Sequence, residues 1–241
     1  PRPGVRRRAN AYFRRIEKDN KERLRVESMY EPESRFYREG IRYIAGIDEV
    51  GRGPLAGPVT VAAVILPAHW FAAGLNDSKQ VTPAHREMLA EKIQGAAVAC
   101  SVVSLSSEEV DRLNIYNATM TAMYQAVRQL SVPPEAVIVD AMPLHFKVPV
   151  LSMIHGDARS ASVAAASIVA KVTRDRMMKE YDSVYPGYGF AKHKGYGTAE
   201  HLEAIRRLGI TPIHRRSFEP VRSMTGAGYR NPADDRERER K

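Results

Sequence analysis

The stretch from Tyr43 to Leu66, YIAGIDEVGRGPLAGPVTVAAVIL, decides the fold. Two apolar runs, Tyr43 to Glu49 and Val59 to Leu66, flank the glycines and prolines of Gly51-Arg52-Gly53-Pro54 and Gly57-Pro58. Short β-branched runs bounded in this way read as two strands joined by a turn. The first run closes on adjacent carboxylates, Asp48 and Glu49. Charge at the end of a buried strand is costly unless it is paired or bound to a metal. Neighbouring strand residues also point to opposite faces, so the two acids serve one site only if the strand ends or bulges there. Gly51 makes such a break feasible.

Upstream, residues 5–38 alternate charges with sparse apolar positions (Tyr12, Phe13, Ile16, Leu24, Met29), the pattern of an exposed or partly docked helix without a core of its own. Downstream, Thr82 before Pro83 is an N-cap followed by proline at the first helical position, which predicts a helix over 83–94. Ala96 to Leu105 reads as a third strand. Ser106 and Glu109 form a capping box. Behind it Val110, Leu113, Met120, Met123, Val127 and Leu130 predict one helix of about 20 residues, ended by Pro133-Pro134. Ala136 to Asp140 and Val150 to Ile154 are short strands, and the small-residue run from Ala161 to Ser167 begins a buried helix reaching about Tyr181. Three successive strands, then alternating helix and strand, then helices, predict an α/β fold with a mixed central sheet flanked by helices and a C-terminal helical extension.

The net charge of +9 lies in the flanks. Residues 1–42 hold thirteen Lys/Arg against seven Asp/Glu, residues 215–241 eight against five, and the segment between is balanced. That distribution suits a polyanionic partner met by spatially segregated charge. Cys100 is the single cysteine, which excludes an intrachain disulfide and reads as a small core residue in a reducing compartment. No apolar run approaches the roughly 20 residues that span a bilayer. Glu17, Asp19, Glu22 and Glu27 are out of place in a transit peptide, so a cytoplasmic location is expected.

Four acids stand where apolar strands end or turn: Asp48, Glu49, Asp140 and Asp157. In α/β sheets such strand ends line the ligand crevice. Carboxylates suit Mg²⁺ or Mn²⁺, and two such ions can serve a phosphodiester from both sides. Cysteine and histidine clusters with zinc spacing are missing.

Longer words surround these acids. Gly46-Ile-Asp48-Glu49-Val-Gly51-Arg52-Gly53-Pro-Leu-Ala-Gly-Pro-Val59 is followed by Asn76-Asp77-Ser78-Lys79, Asn117-Ala118-Thr119-Met120, the strand ending at Asp140, and Gly156-Asp157. Ser162-Val-Ala-Ala-Ala-Ser-Ile-Val-Ala-Lys171, His193-Lys-Gly-Tyr196-Gly-Thr and Pro212-Ile-His-Arg-Arg-Ser-Phe218 complete the series. In this order, from about residue 43 to 218, the text closely resembles type 2 ribonuclease H, ribonuclease HII. The resemblance implies a ribonuclease H-like catalytic domain over 41–220, with a basic helical extension at 1–40 and a flexible charged tail at 221–241. It implies that Asp48, Glu49, Asp140 and Asp157 are catalytic and hold Mn²⁺ or Mg²⁺. It further implies an endonuclease acting on RNA–DNA hybrids and on single ribonucleotides in DNA, leaving 5′-phosphate and 3′-hydroxyl ends.

In that family the backbone matching Gly51-Arg52-Gly53 reads the ribose 2′-hydroxyl, and the tyrosine matching Tyr196 packs beside the next sugar. The chemistry agrees: the 2′-hydroxyl distinguishes RNA from DNA, and glycines admit close backbone approach. Lys79 resembles a phosphate contact. Arg52 has two readings, a phosphate contact or a brace of the turn. Ser160, Ser162 and Ser167 also have two, packing residues or phosphate contacts near a helix start. His193, His201 and His214 read as surface or structural residues. His155 stands where the family more often carries lysine. The N-terminal segment is too short for the folded N-terminal domain of the sister family, ribonuclease HIII. A monomer that binds RNA–DNA hybrid and ribonucleotide-containing DNA, and no membrane, is expected.

Overall fold

The computed structural model describes residues 3–224. Five strands form one mixed sheet in the order β3-β2-β1-β4-β5. They are β1 (Ile44–Val50), β2 (Val59–Ile65), β3 (Ala99–Leu105), β4 (Ala136–Asp140) and β5 (Val150–Met153). The glycine-proline turn folds β2 back on β1, with Asp48 opposite Ala62 and Glu49 opposite Val61. On its other side β1 runs parallel to β4 only from Ile44↔Ala136 to Ile47↔Val139. The strand end predicted at Glu49 is therefore one-sided: β1 continues to Val50 along β2, but loses its β4 partner after Ile47.

Helices cover both faces. On one side lie α3 (Pro83–Ala96) and α7 (Ala161–Val184), whose Leu89, Ile93, Ala164, Ala165 and Ile168 pack with Ala62, Val64 and Leu66. On the other, Ala118, Ala122, Met123 and Ala126 of α5 (Ile115–Arg128) pack with Ala45, Ile47, Val61 and Ala63. A strand sandwiched between layers has no polar face, which is why all of β2 is buried and apolar except Thr60, whose hydroxyl bonds that of Ser104. Truncating a core residue such as Met123, fully buried here, to alanine would cost about 2–5 kcal/mol.

The predicted long helix behind the capping box is two helices. The box itself forms, with the Glu109 amide donating to Ser106 Oγ at 3.2 Å and the Ser106 amide to Glu109 Oε2 at 2.8 Å. It starts α4 (Ser107–Leu113), which stops at Asn114, a residue with φ of 61°. Asn114 then accepts from the Asn117 amide at 3.0 Å and caps α5. Asparagine caps helices with its side chain, so one residue ends a helix and starts the next.

The N-terminal segment forms α1 (Pro3–Ser28) and α2 (Glu31–Arg38). Tyr12, Phe13, Ile16 and Leu24 are exposed, whereas Val26, Met29 and Tyr30 enter the α7-side core. Glu33 of α2 is fully buried and accepts from Ser160 Oγ at 2.6 Å and the Ser162 amide at 2.9 Å. Ser167 is buried too, with Oγ 2.9 Å from Ser78 Oγ. A carboxylate of the chain itself thus engages Ser160 and the Ser162 amide at the α7 N-terminus. The C-terminal helices α8 (Phe190–His193) and α9 (Ala199–Leu208) build a further cluster in which Phe190, Ile205 and Ile213 pack with Leu55, Ala56 and Met178. The expected mobile tail lies, from residue 225 on, outside the described residues. Among the described residues no helix is long and apolar enough to cross a membrane.

Candidate active site

Asp48 and Glu49 sit where β1 loses β4, and Asp140 is the last residue of β4. Asp157 belongs to the short α6 (Gly156–Arg159), which leads into α7. Two contacts draw these segments together. A Cβ at Gly46 would stand 2.1 Å from the Ser162 carbonyl carbon, so only glycine lets the start of α7 lie directly on β1. Asp140 Oδ1 accepts from the Gly156 amide at 3.0 Å, joining β4 to the start of α6.

The acids are electrostatic neighbours. Burial pushes the Asp48 carboxyl well above the usual carboxylate range, and the charges of Glu49 and Asp157 add to it against a hydrogen bond from Ser167. Burial raises Glu49, Arg52 opposes that rise, and Asp140 reinforces it. Asp157 is raised by burial, then by Asp77 and Asp140, while Lys79 pulls it down. The four acids identified from sequence are thus linked through mutual repulsion. Asp77 joins them as a further neighbouring carboxylate that raises Asp157. Sequence reasoning drew only Lys79 from that segment and missed Asp77, which stands in a loop rather than at a strand end.

Asp48, Glu49 and Asp140 are each turned toward a protein partner. Glu49 Oε1 lies 3.3 Å from Arg52 Nη1, and Asp48 Oδ1 accepts from the Glu49 amide at 2.8 Å. In this arrangement no three His, Cys, Asp or Glu side chains among the described residues close a ligand set for a metal. Yet Glu49 Oε2 is buried with no hydrogen-bond partner. Crowded carboxylates and an unsatisfied buried oxygen suit a hard divalent cation, whose charge removes the repulsion.

The glycine turn is held quite differently. Gly51 has φ of +89°, and a Cβ there would lie 2.2 Å from Arg174 Nε. Arg174, fully buried on α7, donates to the Pro58 carbonyl at 2.9 Å and the Ala56 carbonyl at 3.2 Å. Arg215, equally buried, donates to the carbonyls of Gly51, Arg52 (2.8 Å) and Gly57 (3.0 Å). Burial lowers Arg174 to about 10 and Arg215 to about 9, so both remain cations at neutral pH. Backbone bonds add to the hold, with the Leu55 amide on the Gly195 carbonyl and the Gly57 amide on the Ile213 carbonyl, each 2.8 Å. A Cβ at Gly53 would lie 3.7 Å from Tyr196 Cε1, so the half-exposed tyrosine ring stands beside the turn.

The family model of ribonuclease HII matches residues 45–221. The chain belongs to the ribonuclease HII family. The ribonuclease HII of Geobacillus kaustophilus (strain HTA426) is 53% identical over 230 residues, covering 94% of this chain and 88% of that one. That of Ligilactobacillus salivarius (strain UCC118) is 52% identical over 223 residues, covering 92% and 88%. Among solved structures, the ribonuclease H2 of Pyrococcus horikoshii OT3 superposes with a TM-score of 0.66 at 27% identity, covering 75% of this chain and 96% of that one. The mixed sheet flanked by helices is therefore a ribonuclease H-like fold, as the sequence predicts. Membership in the ribonuclease HII family makes the protein a hydrolase and an endoribonuclease, supports an RNA–DNA hybrid endonuclease activity, and carries the family's dependence on a divalent metal.

Around this ribonuclease HII site the remaining sequence candidates fall into place. Lys79 is exposed, with its charge felt by Asp157. Arg52 pairs with Glu49 while its own carbonyl is held by Arg215, so it serves the turn in this state. His155 is exposed and left-handed (φ 58°) at the entry to α6. His193, His201 and His214 are buried together under the Tyr196 loop. Sequence reasoning missed Arg174 and gave Arg215 no role, although Arg215 lies within the Pro212 to Phe218 word. An arginine that serves distant carbonyls leaves no local periodic signal.

Proposed function

We propose that this chain hydrolyses the RNA strand of RNA–DNA hybrids and incises on the 5′ side of single ribonucleotides embedded in duplex DNA, as a monomer removing misincorporated ribonucleotides. Asp48, Glu49, Asp140 and Asp157 would hold two divalent cations, Mg²⁺ or Mn²⁺. When bound, such a pair activates the attacking water and stabilises the leaving oxygen. The observation that carries the reading is the mutual repulsion of these carboxylates around a buried, unpartnered Glu49 oxygen.

The other side chains select and orient. Lys79, beside Asp157, offers a cation to substrate phosphate. Gly51-Arg52-Gly53 presents a backbone already held by Arg215, with Arg174 holding the Ala56 and Pro58 carbonyls of the same turn, so reading a 2′-hydroxyl needs little reorganisation. Tyr196 offers a flat face beside Gly53 against which a neighbouring deoxyribose fits whatever its base. Water adds to phosphorus and the bond to the 3′-oxygen breaks, leaving a 3′-hydroxyl and a 5′-phosphate.

A labelled DNA duplex with one ribonucleotide, incubated with Mg²⁺ or Mn²⁺ and separately with chelator, tests this directly. Metal-dependent incision 5′ of the ribonucleotide is expected. Binding without cutting would make the chain an inert binder, and cutting of the all-DNA control would make it a nuclease of other specificity.

A further inference from the structure

Three histidines lie directly beneath the Tyr196 loop. His201, His214 and His193 are 0%, 1% and 9% exposed, while Tyr196 is 45% exposed. His214 Nδ1 accepts from the Thr211 amide at 2.9 Å, so its proton sits on Nε2. That Nε2 stands 3.1 Å from His201 Nε2, which must then accept. The proton of His201 is left on Nδ1, and Nδ1 donates to the Tyr196 carbonyl at 2.9 Å. His193 Nδ1 accepts from the Gly195 amide at 3.1 Å, and its Nε2 donates to the Tyr188 carbonyl at 2.7 Å. The backbone carbonyl of His193 takes the Tyr196 amide at 3.0 Å. One set of tautomers satisfies the ring-to-ring and ring-to-backbone bonds with all three rings neutral, and the Thr211 hydroxyl shares His214 Nδ1 at 2.9 Å.

The rings are locked as well as bonded. His193 and His201 stack at 4.5 Å, and Phe190 meets both edge-on at 80° and 82°. With every imidazole acceptor nitrogen already engaged, the cluster has no lone pair for a metal. We propose that His201, His214 and His193 are positioning residues for Tyr196: they pin its amide and carbonyl so that its ring stands fixed beside Gly53. The proposal rests on the reading of Tyr196 as the residue that selects the deoxyribose neighbour. The histidines act through Tyr196 and do not touch the reacting atoms.

The test compares wild type, Tyr196→Ala, His201→Ala, His201→Asn and His201→Gln. Each is assayed on a duplex with one embedded ribonucleotide and on a long RNA–DNA hybrid. Hydrogen exchange is read at the Gly195 and Tyr196 amides and along β1. His201→Ala should lose about tenfold more activity on the single ribonucleotide than on the hybrid, within what a small misplacement can cause. Its Gly195 and Tyr196 amides should exchange faster while β1 stays protected. Asparagine restores a donor in place of Nδ1, so His201→Asn should recover both readouts; His201→Gln, which reaches toward His214 instead, should not. Equal losses on both substrates with β1 still protected would overturn the positioning role. Where His201→Ala does not fold, equal behaviour of the Asn and Gln variants overturns it. Should Tyr196→Ala leave the substrate ratio unchanged, the reading of Tyr196 falls and the selective role with it, while exchange at Gly195 and Tyr196 still decides whether the histidines hold the loop.

Discussion

Two regions meet at the same end of the sheet, and they are stabilised in opposite ways. Around the carboxylates, like charges crowd, burial raises three of the acids, and one carboxylate oxygen is left without a partner. At the glycine turn, buried arginines satisfy one carbonyl after another and the Tyr196 loop is pinned at its amide and carbonyl. Under the proposed function the difference separates two tasks. A site that awaits cations carries unbalanced charge, whereas a site that measures a sugar has to be rigid before the sugar arrives.

The largest effect should come from breaking the first region. Asp140→Asn or Asp48→Asn should lower turnover about a thousandfold or more, because ions at such a site supply several kcal/mol of transition-state stabilisation. Binding of the hybrid should remain. The same variants should lose the rise in melting temperature that Mn²⁺ gives the wild type, since an ion that binds only the native state stabilises it. In chelator, Asp48→Asn should be about 1 kcal/mol more stable than wild type, its like-charge repulsion gone. Normal turnover, or an unchanged response to Mn²⁺, would show that other carboxylates do the work.

Breaking the second region should act on stability and substrate reading together. Arg215→Met strips the donor from the carbonyls of Gly51, Arg52 and Gly57 and should cost about 2–5 kcal/mol in denaturant melts. Arg215→Lys should rescue little, since one ammonium cannot reproduce the planar fork. Gly51→Ala forces a left-handed alanine against Arg174 and should cost about 1–3 kcal/mol. Near-neutral melts for both variants would mean that the turn is held by its backbone bonds alone.

The comparison also explains what was legible in the sequence. The β1 and β2 runs and the capping box at Ser106 are local patterns, and the structure keeps them. Asp48, Glu49 and Asp140 were legible because charge at a strand end violates the local pattern. Asp157, in α6, stands out only with them, and the assignment of all four leans on the longer words around them. Asn114 was not legible, because Val110 and Leu113 keep helical spacing with Met120 and Met123 across it, so periodicity alone bridges the break. Arg174 and Arg215 escaped for a different reason. Their partners are carbonyls more than a hundred residues away in the chain, and backbone acceptors carry no residue identity. Glu33 is the same case, an acid beside Glu31 in a charged helix whose partners, Ser160 and Ser162, lie across the fold.

The smallest effect separates the regions by pH. Burial lowers His201 to about 4 and His214 to about 3, from an ordinary value of 6.5. The unfolded chain takes up these protons first as pH falls below 6.5, while the folded chain keeps both rings neutral until it approaches about 4 and about 3. Stability from the cluster is therefore fully present above 6.5 and lost progressively across that window. Above neutrality the histidines contribute no slope. The difference in unfolding free energy between wild type and His201→Asn, followed from pH 7 to 4 in chelator, isolates the response from that of the carboxylates, which both proteins share. The wild type should lose stability more steeply. Parallel curves would mean that His201 is not held neutral, and the tautomer chain that fixes Tyr196 would lose its middle link.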